Sequence, residues 1–273
     1  MNVVIVLPTY NEKENIARLI KVLISEFEGI EQSSDFQMQI LVVDDNSPDG
    51  TGQIVKSVTE KNNKVHLITG QKKGLGRAYI RGFRYAIDYL QADAVMEMDA
   101  DFSHDPKDVR RLIYSLMQGY DFVIGSRYVK GGSIPKEWSF IRRMNSRYGN
   151  IFARYVAGIY KVHDCTAGFR AIRVSLLEKT GFDQFNTDGY CFQMNLLYNA
   201  VNQEAKVLEV PVHFVDRQYG KSKIRMKDIR EFILNAFKLR FSKYIHTEFK
   251  VSISWFRPVT LKTLKKVNSS NEN

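Results

Sequence analysis

Closely spaced aspartates follow two apolar runs of this sequence, at positions where strands would end. Asp99 and Asp101 come directly after the run 94–98, and Asp44 and Asp45 follow an earlier one. In an extended chain residues i and i+2 point to the same side, so Asp99 and Asp101 would present paired carboxylates. Such a pair suits a hard divalent cation that also binds phosphate oxygens. The alternative is a solvated turn whose aspartate caps the next helix, and the position after a buried strand favours the cation site.

Alternating strand and helix signals surround these aspartates. The run 3–7 is apolar throughout, and 12–27 has apolar residues at helical spacing, which predicts a β-α unit. The alternation continues to about residue 126 and predicts an α/β fold with a mostly parallel central sheet flanked by helices. Later strands are predicted at 166–172 and 208–214, and helices at 145–156 and 227–245. Ligands of such sheets bind at the carboxyl ends of the strands, where the aspartates lie.

Composition excludes several classes of protein. With 273 residues, 44% hydrophobic and 26% charged, the chain fits neither a disordered protein nor a multi-span membrane protein. Its net charge is +10, and the excess of cations is concentrated in two segments, 127–154 and 216–273, in which cations alternate with aromatic residues. This local pattern favours a phosphate-bearing ligand or an anionic membrane over nucleic acid. Two cysteines cannot form a disulfide framework and indicate a reducing compartment. Neither a signal peptide nor a transmembrane helix is expected.

Seven motifs carry a resemblance to one family. They are Leu7-Pro8-Thr9-Tyr10-Asn11-Glu12, Asp44-Asp45-Asn46-Ser47-Pro48-Asp49-Gly50, Gly74-Leu75-Gly76, Asp99-Ala100-Asp101, Gly125-Ser126-Arg127-Tyr128, Asp164-Cys165-Thr166-Ala167-Gly168-Phe169-Arg170 and Asp216-Arg217-Gln218-Tyr219-Gly220-Lys221-Ser222-Lys223. In combination the chain resembles the inverting nucleotide-sugar glycosyltransferases of family 2, which have the GT-A fold. More narrowly, it is similar to the dolichol-phosphate mannose synthases and other polyprenyl-phosphate sugar transferases.

The resemblance implies a binding site for the nucleoside of a nucleotide-diphospho-sugar donor. Pro8, Tyr10, Glu12, Val43 and Asp45 match the nucleoside-binding positions of the family. Their residue types suit this role, since an aromatic ring and an aliphatic side chain can enclose a base while carboxylates accept from its N–H groups or from ribose hydroxyls.

The same resemblance assigns the donor diphosphate to the acidic turn. Asp99, Ala100 and Asp101 match the substrate-binding positions there, and the small Ala100 allows close approach. Asp99 and Asp101 are the expected ligands of the cofactor, Mg²⁺ or Mn²⁺.

Three cations match positions that bind phosphate in the family. They are Arg127, Arg217 and Lys223, and with Asp101 they form the predicted catalytic set. Arginine offers a planar fork and lysine a point charge, so the set can neutralise both a leaving diphosphate and an incoming phosphate. The alternatives are a surface ion pair for Arg127 and a solvated loop for Arg217 and Lys223.

The predicted reaction is transfer of a sugar, with inversion, to a dolichyl or undecaprenyl phosphate. The resemblance favours GDP-mannose as the donor, although no residue excludes UDP-glucose or UDP-N-acetylglucosamine. Since the second pKa of a phosphate monoester is about 6, the acceptor can be its own nucleophile, and no histidine or glutamate is named as a base. His104, near the acidic pair, is the one histidine worth testing. The alternative function is transfer to a saccharide or protein hydroxyl, which would require a base.

The expected organisation is a GT-A domain at 1–225 followed by a basic amphipathic helix and tail at 226–273. The periodic segment 227–245 has apolar residues mostly on one face and cations elsewhere. It is expected to face a membrane or bind a partner, which places the protein in the cytoplasm, peripheral on the cytoplasmic face of a membrane. Attachment is either direct or through a membrane subunit, and no nucleic acid partner is expected.

Overall fold

The computed structural model describes residues 1–32, 35–187, 189–216 and 228–241. Its strands are β1 (Asn2–Thr9), β2 (Gln37–Asp44), β3 (Val65–Thr69), β4 (Ala94–Glu97), β5 (Phe122–Ser126), β6 (Arg170–Arg173) and β7 (Val207–Pro211). Its helices are α1 (Ile16–Glu31), α2 (Thr51–Thr59), α3 (Leu75–Asp88), α4 (Asp108–Met117), α5 (Phe140–Val156), α6 (Val174–Lys179), α7 (Gly189–Asn202) and α8 (228–241), with a short 3₁₀ turn at Phe182–Gln184.

The strands form one seven-stranded sheet in the order β3-β2-β1-β4-β6-β5-β7. All neighbours are parallel except β6, which runs antiparallel to both β4 and β5. The predicted α/β fold with a mostly parallel sheet flanked by helices is therefore confirmed.

Helices cover both faces of this sheet, which explains why β1 is apolar throughout rather than alternating. Val4 and Val6 of β1 belong to the core shared with α3, α5, α7 and α8, whereas Val3, Ile5 and Leu7 belong to the core shared with α1, α2 and α4. On the first face α3 lies so close to the sheet that a Cβ at Gly82 would be 2.5 Å from Val6 Cγ1. Glycine at this position sets the distance between helix and sheet.

The second half of the chain differs from expectation in detail. The strand predicted at 166–172 begins at Arg170, because residues 166–169 form a loop that approaches the acidic turn. Helix α5 begins at Phe140, five residues before the predicted start at 145, where the Ser139 side chain accepts a hydrogen bond from the Arg142 N–H. No helix was predicted at α7, which is buried on most sides and lacks the one-sided apolar pattern of a surface helix.

The C-terminal amphipathic helix is present as α8, although its predicted extension to 245 and the tail to 273 lie outside the described residues. Within the part of the chain that the structure describes, no helix is both long and apolar enough to cross a membrane.

Candidate active site

The loops that follow β1 and β2 meet at the carboxyl edge of the sheet. Thr9 is paired with Asp44 in the ladder, and the Asp45 N–H donates to the Thr9 carbonyl at 3.0 Å. The Asp44 carboxylate accepts from the Thr9 hydroxyl at 2.9 Å and from the Ser47 hydroxyl at 2.6 Å. Asp44 therefore fixes the two loops to each other and is 2% exposed, whereas Asp45 is 7% exposed.

Two cations that the sequence analysis did not select complete the predicted nucleoside end. Arg81 of α3 donates to Asp45 Oδ1 at 2.7 Å, and Lys72 Nζ lies 3.2 Å from the centroid of the Tyr10 ring. Burial raises the pKa of Asp45 despite the opposing effect of Arg81. Helical spacing in α3 and the lysines after β3 were available signals for both cations, but no spacing rule connects them to Asp45 or Tyr10.

The remaining predicted nucleoside residues differ in how they meet this edge. Glu12 accepts from the Asn15 side chain at 2.9 Å, and Pro8 is half-buried. Val43 is fully buried in the core, where a Cβ at Gly82 would lie 2.9 Å from its Cγ2. A contact between Val43 and a base would therefore have to use its main chain rather than its side chain.

The acidic turn after β4 is held by its own neighbours. The Ser103 N–H donates to Asp101 Oδ1 at 3.0 Å, and the Asp99 N–H donates to His104 Nδ1 at 3.1 Å. Burial lowers the pKa of His104 to about 4, so the imidazole is neutral at pH 7 and carries its proton on Nε2. Ala100 is 4% exposed and lies in the core behind the turn.

Left-handed backbone geometry is concentrated in the loops of this edge. Asn11 has φ 63°, Asn46 has φ 51° and Phe102 has φ 62°, and these residues lie in the loops after β1, β2 and β4. Asparagine tolerates this region, but for a bulky side chain such as Phe102 it is uncommon. The three loops are thus built to a shape that extended or helical backbone would not give.

A buried pair of opposite charges lies under the acidic turn. Glu97 at the end of β4 and Arg170 at the start of β6 are paired in the ladder and fully buried, with Arg170 Nε 3.9 Å from Glu97 Oε2. Arg170 also donates to the main-chain carbonyls of Gln193 at 2.8 Å and Cys165 at 2.9 Å. Burial raises the pKa of Glu97 to about 7 against the effect of Arg170. This pair joins β4 to the loop 164–169 beside the turn.

Arg127, at the end of β5, is tightly held by Asp164. Its Nε donates to Asp164 Oδ2 and its Nη2 to Asp164 Oδ1, both at 2.7 Å, and its main-chain N–H donates to Oδ2 at 3.0 Å. Burial alone would lower the pKa of Arg127, but the Asp164 carboxylate outweighs it and holds that pKa above its usual value. The Arg127 side chain is 9% exposed and that of Asp164 fully buried.

Phe214, after β7, connects Arg127 with the acidic turn. Its ring lies 5.5 Å from the His104 ring and 5.5 Å from Arg127 Cζ, and the Trp138 ring packs against it at 5.7 Å. A Cβ at Gly168 would lie 3.9 Å from Asp99 Oδ1, which brings the loop that holds Arg127 to the acidic pair. The structure thus brings one end of the cation set next to the carboxylates.

The predicted residues fall into two groups by position. Those that the structure brings to the carboxyl edge are Pro8, Tyr10, Glu12, Asp45, Asp99, Ala100, Asp101 and Arg127, and Val43 reaches it only through its main chain. Arg217 and Lys223 lie outside the described residues, so their place in the site stays a prediction. Asp164 was quoted within a motif but not given a role, because no sequence signal shows that its carboxylate faces Arg127.

The acidic turn fits a cation that arrives with a phosphate ligand. Among the residues that the structure describes, no group of three or more histidine, cysteine, aspartate or glutamate side chains is arranged to hold a metal ion. A cation at Asp99 and Asp101 would therefore complete its shell with phosphate oxygens and water, which is the usual mode for Mg²⁺. A closed structural metal site does not fit these residues.

Comparison with known proteins agrees with this geometry. The sequence model of the family described as "Glycosyl transferase family 2" matches residues 4–181. The chain is a family 2 glycosyltransferase. It is 38% identical over 229 residues to polyprenol monophosphomannose synthase of Mycolicibacterium smegmatis, a match that covers 83% of this chain and 82% of that protein. It is 36% identical to undecaprenyl-phosphate mannosyltransferase of Micrococcus luteus, with 86% and 93% covered.

Solved structures of more distant proteins share the fold of this family 2 glycosyltransferase. Glucosyl-3-phosphoglycerate synthase of Mycobacterium tuberculosis, solved with Mn²⁺ and UDP-glucose, superposes with a TM-score of 0.59 at 16% identity over 88% of this chain and 78% of that one. Mannosyl-3-phosphoglycerate synthase of Rubrobacter xylanophilus gives a TM-score of 0.60 at 16% identity over 97% and 80%. These two likenesses establish the fold alone.

Proposed function

We propose that this glycosyltransferase transfers mannose from GDP-mannose to the phosphate of a polyprenyl lipid. The observation that carries the proposal is the similarity of this chain, over most of its length, to two relatives that are more than a third identical to it. Both relatives are named for the transfer of mannose to polyprenol or undecaprenyl phosphate. The geometry supports it, since carboxylates for a donor cation and the cation Arg127 lie on the two sides of Phe214.

The donor binds at the carboxyl edge in this proposal. Tyr10 and Asp45 contact the nucleoside, and Asp99 and Asp101 would hold the Mg²⁺ or Mn²⁺ ion at the diphosphate end. When bound, the cation neutralises charge on the departing diphosphate. His104 keeps the Asp99 main chain in place, and the Ser103 N–H does the same for the Asp101 carboxylate.

The acceptor phosphate acts as the nucleophile. One of its oxygens attacks the anomeric carbon from the face opposite the diphosphate, the bond to the diphosphate oxygen breaks, and the configuration inverts. No proton has to leave the attacking oxygen, because a phosphate monoester with a second pKa of about 6 is largely dianionic at neutral pH. The reaction therefore depends on positioning and charge stabilisation rather than on a general base.

Arg127 contributes one edge of its guanidinium to the phosphates. Nε and Nη2 are occupied by Asp164, whereas Nη1 makes no hydrogen bond within the described ranges. The two hydrogen bonds to the Asp164 carboxylate fix the plane of the guanidinium and therefore the direction of its Nη1 group. Arg217 and Lys223 provide the remaining positive charge in this proposal.

A surface formed by α5 and α8 supports attachment to a membrane. Large apolar side chains stand outward on both helices: Phe140, Ile141, Tyr148, Ile151, Tyr155, Ile233, Leu234, Phe237 and Phe241. The helices touch through Phe152 and Phe237, whose rings are 5.9 Å apart. Exposed cations, among them Arg143, Arg147 and Lys238, accompany these side chains. Aromatic and aliphatic side chains flanked by cations are typical of interfacial helices, so the α5–α8 surface would lie on an anionic leaflet, on the cytoplasmic face.

A transfer assay tests the function. The full chain is incubated with Mg²⁺ or Mn²⁺, labelled GDP-mannose, UDP-glucose or UDP-N-acetylglucosamine, and undecaprenyl or dolichyl phosphate. We expect chloroform-soluble label from GDP-mannose, with the β configuration in the product. Label transferred to a soluble mannoside but to neither lipid phosphate would overturn the proposal in favour of a hydroxyl acceptor.

Sedimentation with vesicles tests the attachment. We expect the full chain to bind vesicles that contain anionic lipid, and to bind less as salt rises to about 0.5 M, where the Debye length is about 4 Å. Ile141→Glu on the α5–α8 surface should weaken binding, whereas Met117→Glu on the opposite face of the sheet should not. If the chain binds neither neutral nor anionic vesicles at low salt, attachment through a membrane subunit replaces direct contact.

A further inference from the structure

The inward face of α5 is mixed: Phe152, Ala153 and Val156 pack on the core, but the polar Asn150 is buried beside them. Asn150 and Ala153 are its buried residues, and Asn150 is 2% exposed. Asparagine lowers helix stability and is rarely fully buried, so its position on this face calls for a reason. Both polar atoms of the Asn150 side chain, Oδ1 and Nδ2, form hydrogen bonds.

These partners lie in the loop that holds Arg127. Asn150 Oδ1 accepts from the Cys165 N–H at 2.8 Å, and Nδ2 donates to the Ser146 carbonyl at 2.9 Å and to Thr166 Oγ1 at 3.2 Å. Asn150 therefore ties α5 both to the main chain and to a side chain of this loop.

Thr166 links Asn150 to Arg127 because its hydroxyl contacts both side chains. Its Oγ1 accepts from Arg127 Nη2 at 2.9 Å, so Nη2 donates one N–H to Asp164 and the other to Thr166. A hydroxyl has two acceptor lone pairs, which allows Thr166 Oγ1 to accept from Arg127 and Asn150 at once. Asp164 fixes the plane of the guanidinium, and Thr166 fixes its place relative to α5.

Two further contacts join the inward face of α5 to the same region. The hydroxyl of Tyr128, the residue directly after Arg127, donates to Ser146 Oγ at 2.6 Å. Arg142 Nη1 donates to Asp216 Oδ2 at 3.2 Å, directly before Arg217. The polar side chains of α5 thus contact Tyr128, which follows Arg127, and Asp216, the last described residue before the gap at 217–227.

We propose that Asn150 and Thr166 are positioning residues that fix the Arg127 guanidinium relative to α5. The proposal rests on the proposed function for its consequence: the helix whose outer face meets the lipid surface also places a cation for the acceptor phosphate. Loss of either residue should therefore affect use of the acceptor more than use of the donor.

Side-chain NMR of arginine tests the geometry without reference to activity. The Nε signal of Arg127, identified by its loss in Arg127→Lys, should show slow rotation of the guanidinium about the Nε–Cζ bond. Thr166→Val keeps the shape of the side chain but removes the hydroxyl, and should increase the rotation rate about fivefold or more, whereas Thr166→Ser should keep the parent rate. A rate within twofold of the parent in Thr166→Val would overturn the proposal.

Steady-state kinetics test the consequence. Asn150→Ala and Thr166→Val should each raise the KM for polyprenyl phosphate about tenfold and leave the KM for GDP-mannose within about twofold. Asn145→Ala, the same change at an exposed position of α5, is the matched control and should keep both parent values. In an Arg127→Lys background Thr166→Val should add less than about twofold, because its effect passes through Arg127.

The outcomes separate the two proposals. Equal losses with and without Arg127 would show that Asn150 and Thr166 act on the fold as a whole and would overturn the positioning role. If the parent transfers no sugar to polyprenyl phosphate, the proposed function is wrong, and the rotation rate of Arg127 alone decides the role of these two residues.

Discussion

Helices α1 and α5 have the same length within one residue, and both carry apolar side chains at helical spacing. Helix α1 turns its apolar side to the sheet and buries Ile16, Leu19, Ile20, Leu23, Phe27 and Ile30. Helix α5 buries only Asn150 and Ala153 and leaves Phe140, Ile141, Tyr148, Ile151 and Tyr155 exposed. An amphipathic pattern therefore identifies a face, and the remainder of the molecule decides whether the protein or something else covers it.

The proposed function divides the candidate active site into a donor side and an acceptor side. The side of β1, β2 and β4 carries the carboxylates that follow these strands, which suits a charged soluble donor. The side of α5 and α8 offers Arg127 and an uncovered apolar surface, which suits an acceptor whose head is a phosphate and whose tail is lipid.

The largest effect is expected on the donor side. Asp101→Ala should lower the transfer rate about 10²-fold to 10³-fold, because the donor cation loses a ligand where charge develops on the diphosphate. The measurement is the initial rate over a series of Mg²⁺ and Mn²⁺ concentrations. Asp105→Ala, an exposed aspartate in the same loop region, is the control. A rate within threefold of the parent in a folded Asp101→Ala variant would remove the metal site from the acidic turn.

On the acceptor side, Asp164→Ala should lower the free energy of unfolding by about 3–5 kcal/mol, because Arg127 is then left buried without a counterion. Urea denaturation measures it. The double variant Arg127→Ala with Asp164→Ala should be less destabilised than the sum of the single changes. A loss below about 1 kcal/mol from Asp164→Ala would mean that solvent already screens this pair.

The contrast between the helices themselves predicts a third pair of results. Leu23→Ala in α1 should cost about 2–5 kcal/mol of stability, as is usual for a buried leucine. Ile141→Ala in α5 should change stability by less than about 0.5 kcal/mol, since the side chain is 70% exposed. Thermal and urea unfolding give both values. Similar losses in the two variants would show that the outer face of α5 packs against protein in solution and would contradict the division.

The sequence predicted correctly those elements whose signal lies in consecutive residues. The apolar runs before Asp45 and Asp101 predicted strands and their carboxyl ends, because a strand buried on both faces is apolar throughout. The start of α5 and the existence of α7 were missed. Helix α7 is buried on most sides and has no one-sided periodicity, and the first turn of α5 carries Phe140 and Ile141 without the usual buried face.

Long-range pairings were beyond the sequence for a different reason. Asp164 meets Arg127 and Lys72 meets Tyr10 across separations set by the sheet order, and no periodicity encodes which side chains face each other there. The resemblance of motifs indicated that Arg127 belongs to the site. It did not show that Asp164 and Thr166 hold most of its hydrogen-bonding groups, which limits how Arg127 can meet a phosphate.

The smallest effect is expected at the partly exposed ion pair of Arg142 and Asp216. Their side chains are 29% and 39% exposed, and Arg142 also lies over the Trp138 ring at 3.8 Å. A double-mutant cycle with Arg142→Ala and Asp216→Ala should therefore give a coupling energy of about 0.2–1 kcal/mol in urea unfolding. Arg142→Lys should lose part of this coupling, because an ammonium does not stack on Trp138 as a guanidinium does. A coupling above about 2 kcal/mol would place this pair with Arg127 and Asp164, as part of the buried framework rather than of the surface that α5 presents.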